Sequence, residues 1–200
     1  GVLHGIPFGV KDIIDTATMP TGHGSPIYEG HKPAIDAPCV ALSLQSGGIM
    51  MGKTVSTEFA SRHPGATRNP HNPEYSPGGS SSGSGAAVAD KMVPMAFGTQ
   101  TGGSVIRPAA FCGCVGYKPT YGLFSAAGVK ENTRSFDTVG LYGRSVDDVA
   151  LFRAGVLAID HAPLRDVAIG DLRVALCRTM FWDRACDETQ SVIEGVAETL

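Results

Sequence analysis

The chain has 200 residues, of which 42% are hydrophobic and only 18% charged, with a net charge of −3 at neutral pH. Such a composition suits one domain with a sizeable core. The weakly acidic balance excludes a basic footprint for nucleic acid or an anionic membrane surface, and no apolar window is long enough to span a bilayer.

No signal-peptide pattern is visible, and the chain begins at Gly1 inside the strand-like "LHGIPFGV". A piece of a longer protein is therefore expected. The five cysteines, Cys39, Cys112, Cys114, Cys177 and Cys186, are odd in number and lack framework spacing. They are expected to be buried, reduced thiols of a cytoplasmic protein. "FCGC" is C-x-C, which suits neither a zinc site nor a thioredoxin-type motif, so no metal and no cofactor are expected.

In chain order, Ile6–Val10 is a short strand ending at Lys11-Asp12, followed by the turn-rich "PTGHGSPIYEGHKP". Asp36 is placed to cap a helix through "APCVALSLQSG", with Val40, Leu42 and Leu44 as its apolar positions and Gly47-Gly48 as its stop. "IMMGKT" is the next strand, and a proline-rich loop runs from Arg62 to Gly79. "SGSGAAVADKM" forms a helix of small residues, "VPMAFGT" a strand, "VIRPAAFCG" a short helix and "VGYKP" a strand. "SVDDVALFRAGVLAI" is an amphipathic helix capped by Ser145. "LRVALC" is a strand, and "DETQSVIEGVAETL" a helix that runs to the end of the chain. Short apolar strands alternating with helices predict an α/β fold with a mixed, largely parallel sheet.

One motif misleads. Gly47–Thr54, "GGIMMGKT", spells G-x-x-x-x-G-K-T. A phosphate-binding loop follows a strand and wraps its ligand in backbone N–H groups. Here a helix comes first, and the Ile-Met-Met interior wants burial. The segment is expected to be a strand, not a nucleotide site.

The chemistry concentrates in two Gly/Ser clusters, "GGSSSGSGA" (Gly78–Ala86) and "TGGS" (Thr101–Ser104). Taken alone, the first is equally a linker or a glycine-rich helix start. In the second, Gly102 and Gly103 allow a tight turn with consecutive N–H groups aimed into one space. Ser104 opens a helix whose positive end lies at its hydroxyl, which suits an exposed nucleophile beside an oxyanion hole. The logic is that of a nucleophile elbow without its G-x-S-x-G spelling.

A nucleophilic serine needs a base. His4, His23, His31, His63 and His71 fall in loops or at loop edges, and neither they nor His161 have a companion suggesting a triad. Lysine is the other known base for serine, and Lys11, at the end of an apolar strand, is the candidate. Holding a free lysine neutral at pH 7 costs about 4.6 kcal/mol, so burial must remove most of that cost.

"HGIPFGVKD", "GKTVSTEFA", "NPHNPEYSPGGSSSGSGAAVA", "GTQTGGSVIRPAAFCGCVGYKPTYG" and "SFDTVGLYGRSVDDVA" follow one another in order over about Gly1 to Leu157. Together they resemble the amidase signature family. The resemblance implies hydrolysis or transfer of carboxylic amides through a Ser–cis-Ser–Lys triad, on a mixed, largely parallel sheet with helices on both faces. It assigns Lys11 as base, Ser80 as the cis-serine and Ser104 as nucleophile. It also implies an oxyanion hole from the backbone of Thr101, Gly102, Gly103 and Ser104, with Ser81 in support. Arg107, in the helix behind Ser104, is expected to support the loop around Gln100. The chain departs from the common pattern at Ser82, Gly85 and Gln100, where glycine, alanine and aspartate are usual. None of these belongs to the triad.

Residues 1–200 are accordingly expected to be part of a single amidase signature domain, without its N-terminal helical region and C-terminal portion. The leading function is an amidase releasing acid and ammonia or amine through an acyl-enzyme on Ser104. The alternatives are an amidotransferase A-type subunit that frees ammonia from glutamine, or a catalytically silent interaction subunit. The expected partners are a small-molecule amide and either a second copy or amidotransferase subunits, with no nucleic acid directly and no membrane.

Overall fold

The computed structural model describes residues 1–200, which divide into two compact units, Gly1–Pro163 and Leu164–Leu200. The first contains a five-stranded sheet in the order β2-β1-β3-β5-β4. Its strands are β1 (Pro7–Lys11), β2 (Ile49–Thr54), β3 (Met95–Gln100), β4 (Val115–Tyr117) and β5 (Thr138–Gly143). β1 pairs in parallel with β2 and β3, while β5 runs antiparallel to both β3 and β4. The sheet is thus mixed, with its parallel pairs on one side and its antiparallel pairs on the other.

Helices cover both faces. α1 (Pro38–Gln45) and α4 (Val146–Leu157) pack on each other over one face. There Leu3, Phe8, Val10, Val40, Phe97, Leu141 and Phe152 form the main core. Phe97 lies edge-on to Phe8 at 5.8 Å and tilted on Phe152 at 4.6 Å, geometries that aromatic quadrupoles favour. α2 (Ser82–Ala89) and α3 (Ile106–Cys112) pack together on the second, smaller cluster, which includes Val88, Val93, Ala96, Val105, Ala109 and Tyr142.

Three local readings change. Asp36 does not cap α1. The cap position is Ala37 with Pro38 behind it, where proline's fixed φ and missing N–H cost nothing. The Asp36 carboxylate instead accepts from the Ala17 N–H at 2.7 Å. β5 carries no assignment in the sequence reading, because Thr138, Gly140 and Gly143 interrupt its apolar pattern. Residues 172–177 form no strand: Leu172, Val174 and Leu176 are exposed, and the unit that holds them has no second strand to complete a ladder. The cap of α4 is as expected, with Ser145 and Asp148 forming a reciprocal capping box.

The second unit contains α5 (Asp187–Thr199), which buries none of its residues, and an Arg178–Glu194 ion pair at 2.7 Å. Cys177 and Cys186 are exposed in this unit, contrary to the expectation of burial, while Cys39 and Cys112 are buried and Cys114 half-buried. All five are unpaired. No helix is long and apolar enough to cross a membrane.

The G-x-x-x-x-G-K-T segment ends in strand β2, as expected, but its apolar interior is not buried: Ile49 and Met51 are exposed on this edge strand and Met50 is half-buried. Lys53 donates to the Ile14 carbonyl and to Thr21 Oγ1 at 2.7 Å, and pairs with Asp12 at 3.7 Å. It ties the loop after β1 to strand β2 instead of facing a phosphate.

Candidate active site

The site lies where the parallel strands β1 and β3 end, the edge at which open α/β sheets present their ligands. Lys11 is the last residue of β1, and Thr99 and Gln100 close β3. Because β5 is antiparallel, its first residue, Thr138, pairs with Gln100 at this same edge. Three chain segments thus meet here although they are far apart in sequence.

Lys11 is wholly buried. Its ammonium donates to Ser80 Oγ and to Thr99 Oγ1, each at 2.7 Å. Burial pushes its pKa from 10.5 down to about 7, against a weaker upward pull from the Asp137 carboxylate. A lysine poised there exchanges protons readily near neutral pH.

Ser80 is buried, and the Gly79–Ser80 peptide bond is cis. Gly78 precedes it at φ +76°, with its α-carbon pressed so close to Pro108 that a Cβ would lie 2.9 Å from the Pro108 Cα. Only glycine fits both conditions. Ser81 lies over Gly98, exchanging hydrogen bonds of 3.2 Å with the Thr99 N–H and carbonyl. This fastens the start of α2 to the end of β3. A Cβ on Gly98 would come within 2.9 Å of Ser81 Oγ and 2.6 Å of the Tyr142 ring.

The turn from Thr101 to Ser104 leaves Gly102 exposed and Ser104 half-buried. The N–H groups of Gly102, Gly103 and Ser104 take no acceptor within the chain. Ser104 does not open the helix: α3 begins at Ile106, and the Val105 and Ile106 N–H groups donate to Gln100 Oε1 at 2.8 and 3.0 Å. The helix end is therefore satisfied by Gln100, and a dipole aimed at the Ser104 hydroxyl is not the arrangement found. Tyr142 OH holds the turn from beneath, at 3.0 Å from the Val105 carbonyl and 3.3 Å from that of Ser104.

Arg107 is exposed and does not bond the loop around Gln100. Its Nη1 donates to the Gly79 carbonyl at 3.3 Å, and its guanidinium lies against Gly103. It bridges the segment before Ser80 to the turn before Ser104. The hydrogen bonds of Lys11 reach Ser80 and go no further: none joins Ser80 to Ser104.

No histidine enters this group. His71 Nε2 lies 2.7 Å from the Cys112 carbonyl, and His23 is buried in a ring cluster with Tyr28 and His31. Sequence reasoning misses Thr99, Asp137 and Tyr142. Thr99 sits inside "GTQTGGS", two positions from the turn, but nothing in the spelling says that its side chain faces Lys11. Asp137 and Tyr142 join only through β5. A narrow cleft touches Ser80, Thr99, Thr101 and Asp137. It shares Ala126, Val129 and Asp137 with a larger pocket of about 510 Å³ that reaches Tyr121, Phe124 and Arg134.

The family model described as Amidase matches residues 1–200. The chain is 44% identical over 180 residues to the A subunit of the glutamyl-tRNA(Gln) amidotransferase of Clostridium botulinum, covering 87% of the chain and 36% of that protein. It is 46% identical over 157 residues to the corresponding A subunit of Rhodopirellula baltica, covering 76% and 32%. Among solved structures it is similar to the peptide amidase of Stenotrophomonas maltophilia, with a TM-score of 0.73, 38% identity, and coverage of 82% and 37%. The A subunit of the Thermotoga maritima glutamyl-tRNA(Gln) amidotransferase gives a TM-score of 0.69 at 42% identity, covering 75% and 34%. The chain spans about a third of the length of these relatives. With its whole length matched by one family model and its sheet shared with solved members, the chain belongs to the amidase family.

Proposed function

We propose that this chain carries the catalytic core of an amide hydrolase that works through an acyl-enzyme on Ser104. The observation that carries the reading is the wholly buried Lys11, with a pKa lowered to about 7 and a 2.7 Å bond to Ser80 Oγ. A base needs such a setting, since burial without a paired carboxylate is what brings a lysine's proton off near neutral pH.

In the proposed cycle the neutral Lys11 accepts the Ser80 proton while Ser80 accepts that of Ser104, since one hydroxyl can do both. The Ser104 oxygen attacks the amide carbonyl, and its oxyanion takes the free N–H groups of the Thr101–Ser104 turn. As the C–N bond breaks, the proton returns from Lys11 through Ser80 to the leaving nitrogen. Water then repeats the sequence on the acyl-enzyme, regenerating the Ser104 hydroxyl and releasing the acid. Ser81 and Arg107 support the two turns, and the cycle as written calls on no cofactor or metal. Closing the present gap between Ser80 and Ser104 is part of forming the substrate complex, where catalytic hydrogen bonds commonly tighten.

The identity to amidotransferase A subunits favours a second reading, in which the amide is glutamine and the ammonia passes to partner subunits. We read residues 1–200 as part of one amidase signature domain, and place the protein in the cytoplasm on its five unpaired cysteines. Labelling with a fluorophosphonate, followed by peptide mapping, tests the chemistry: Ser104 is the expected site, and a wild-type protein that stays unlabelled is the silent subunit instead. Glutaminase activity measured beside a panel of aryl and aliphatic amides separates the two enzymatic readings.

A further inference from the structure

We propose that Asp137 is a positioning residue of this site, its single carboxylate fixing both the Thr101 turn and the 131–133 loop beside the Lys11–Ser80 pair. The proposal rests on the amidase reading above. Asp137 directly precedes β5, so the antiparallel pairing of Gln100 with Thr138 delivers it to the exit of β3. One of its oxygens accepts from Thr101 Oγ1. The other accepts from the Asn132 N–H at 2.6 Å and the Thr133 N–H at 2.8 Å. Asn132 closes the circuit, its Nδ2 donating to Thr101 Oγ1 at 3.3 Å. Thr101 is the first residue of the turn that offers its amides to the oxyanion.

Both carboxylate oxygens are thus committed, and each holds a different loop. A neutral amide of the same shape has only one acceptor, so it can keep the Thr101 hydroxyl only by donating to it, which replaces the charge-assisted bond with a weaker neutral one of reversed direction. Asp137 also lines the cleft that holds Ser80 and Thr99, as does Lys130. Among charged groups Asp137 is the one whose field acts on Lys11, favouring its protonated form. Removing the charge while keeping the shape therefore has two separable consequences: the turn loosens, and Lys11 gives up its proton at lower pH.

The test follows the rate of Ser104 phosphonylation by a fluorophosphonate in the full chain as a function of pH, with the maximal rate and the half-saturating concentration resolved. Asp137→Asn is expected to lower the maximal rate by roughly ten- to a hundred-fold, the scale of a small misplacement of the oxyanion donors. Its half-saturating concentration should change little, and the rising limb should move to lower pH. Asp137→Glu restores the charge one methylene out of place, so its limb returns towards the wild-type position while the rate stays low. Thr101→Val loses only the anchor, lowering the rate with the limb unmoved. An Asp137→Asn variant with a wild-type rate, or with an unmoved limb, overturns the proposal. If that variant melts abnormally, Thr101→Val decides, and its wild-type rate is equally fatal. A wild-type chain that is not labelled at Ser104 overturns the amidase reading itself, a result distinct from either.

Discussion

The Lys11 ammonium lies 2.7 Å from the Ser80 hydroxyl and the same distance from that of Thr99, with no access to solvent. Two hydroxyls can each accept one of its protons, but neither brings a negative charge. The charged form is therefore under-compensated, and this is the physical reason that burial outweighs the pull of Asp137.

The first prediction is a pH profile. In the wild-type full chain, kcat/KM should rise through a pKa of about 7, that of the free enzyme's base. Lys11→Ala should remove this limb and leave a rate that tracks hydroxide. Thr99→Val removes an acceptor that stabilises the ammonium, so the limb should move to lower pH with Ser104 still reactive. A limb unchanged in Lys11→Ala means that the proton is taken by another group.

Lys11 also makes stability depend on pH. Its folded pKa is about 7 and its ordinary value is 10.5, so between these pH values the unfolded chain binds more protons than the native one. Stability from this residue therefore rises with pH across that window, and the penalty of the buried charge is complete below it. Thermal melts of wild type and Lys11→Met should show the methionine variant gaining most at pH 6, with its advantage shrinking towards pH 10. A difference independent of pH would place the native lysine's pKa near that of a free one.

Gln100 is predicted to serve α3 before it serves chemistry. Its Oε1 satisfies the Val105 and Ile106 N–H groups, and no other acceptor reaches them. Gln100→Leu should cost about 1–3 kcal/mol, the penalty for stranding buried donors. Denaturant melts measure this directly, and Gln100→Glu, which keeps an acceptor in place, should recover most of the loss.

Gly83 marks the closest approach of α2 to the strand exit of β2. A Cβ there would fall 2.2 Å from the Val55 nitrogen and 3.0 Å from the Thr54 carbonyl carbon, both backbone atoms that cannot turn aside. Gly83→Ala should therefore destabilise by about 1–3 kcal/mol or more, although alanine is the better helix former. A melt as stable as wild type would mean that α2 moves away from β2 without penalty, and the Ser81–Thr99 bonds would be expected to loosen with it.

The sequence by itself determined the alternation of most strands and helices, the Ser145 cap, the rejection of Gly47–Thr54 as a phosphate loop, and the tight turn at Gly102-Gly103. Each of these is a local property, set by periodicity, by cap chemistry or by what glycine alone allows. Residue pattern singled out Ser104 and offered Lys11, while resemblance was needed to separate Ser80 from its neighbours. Tertiary structure alone decided the rest. Lys11 and Ser80 are 69 positions apart, and Lys11 and Thr99 are 88 apart, so their contact depends on the parallel pairing of β1 with β3. Asp137 and Tyr142 enter through β5, a glycine-rich strand with little signal of its own, and only its antiparallel register carries them to the site. The depressed pKa of Lys11 has the same origin: no spelling of "GVKD" excludes water, and the packed sheet around it does.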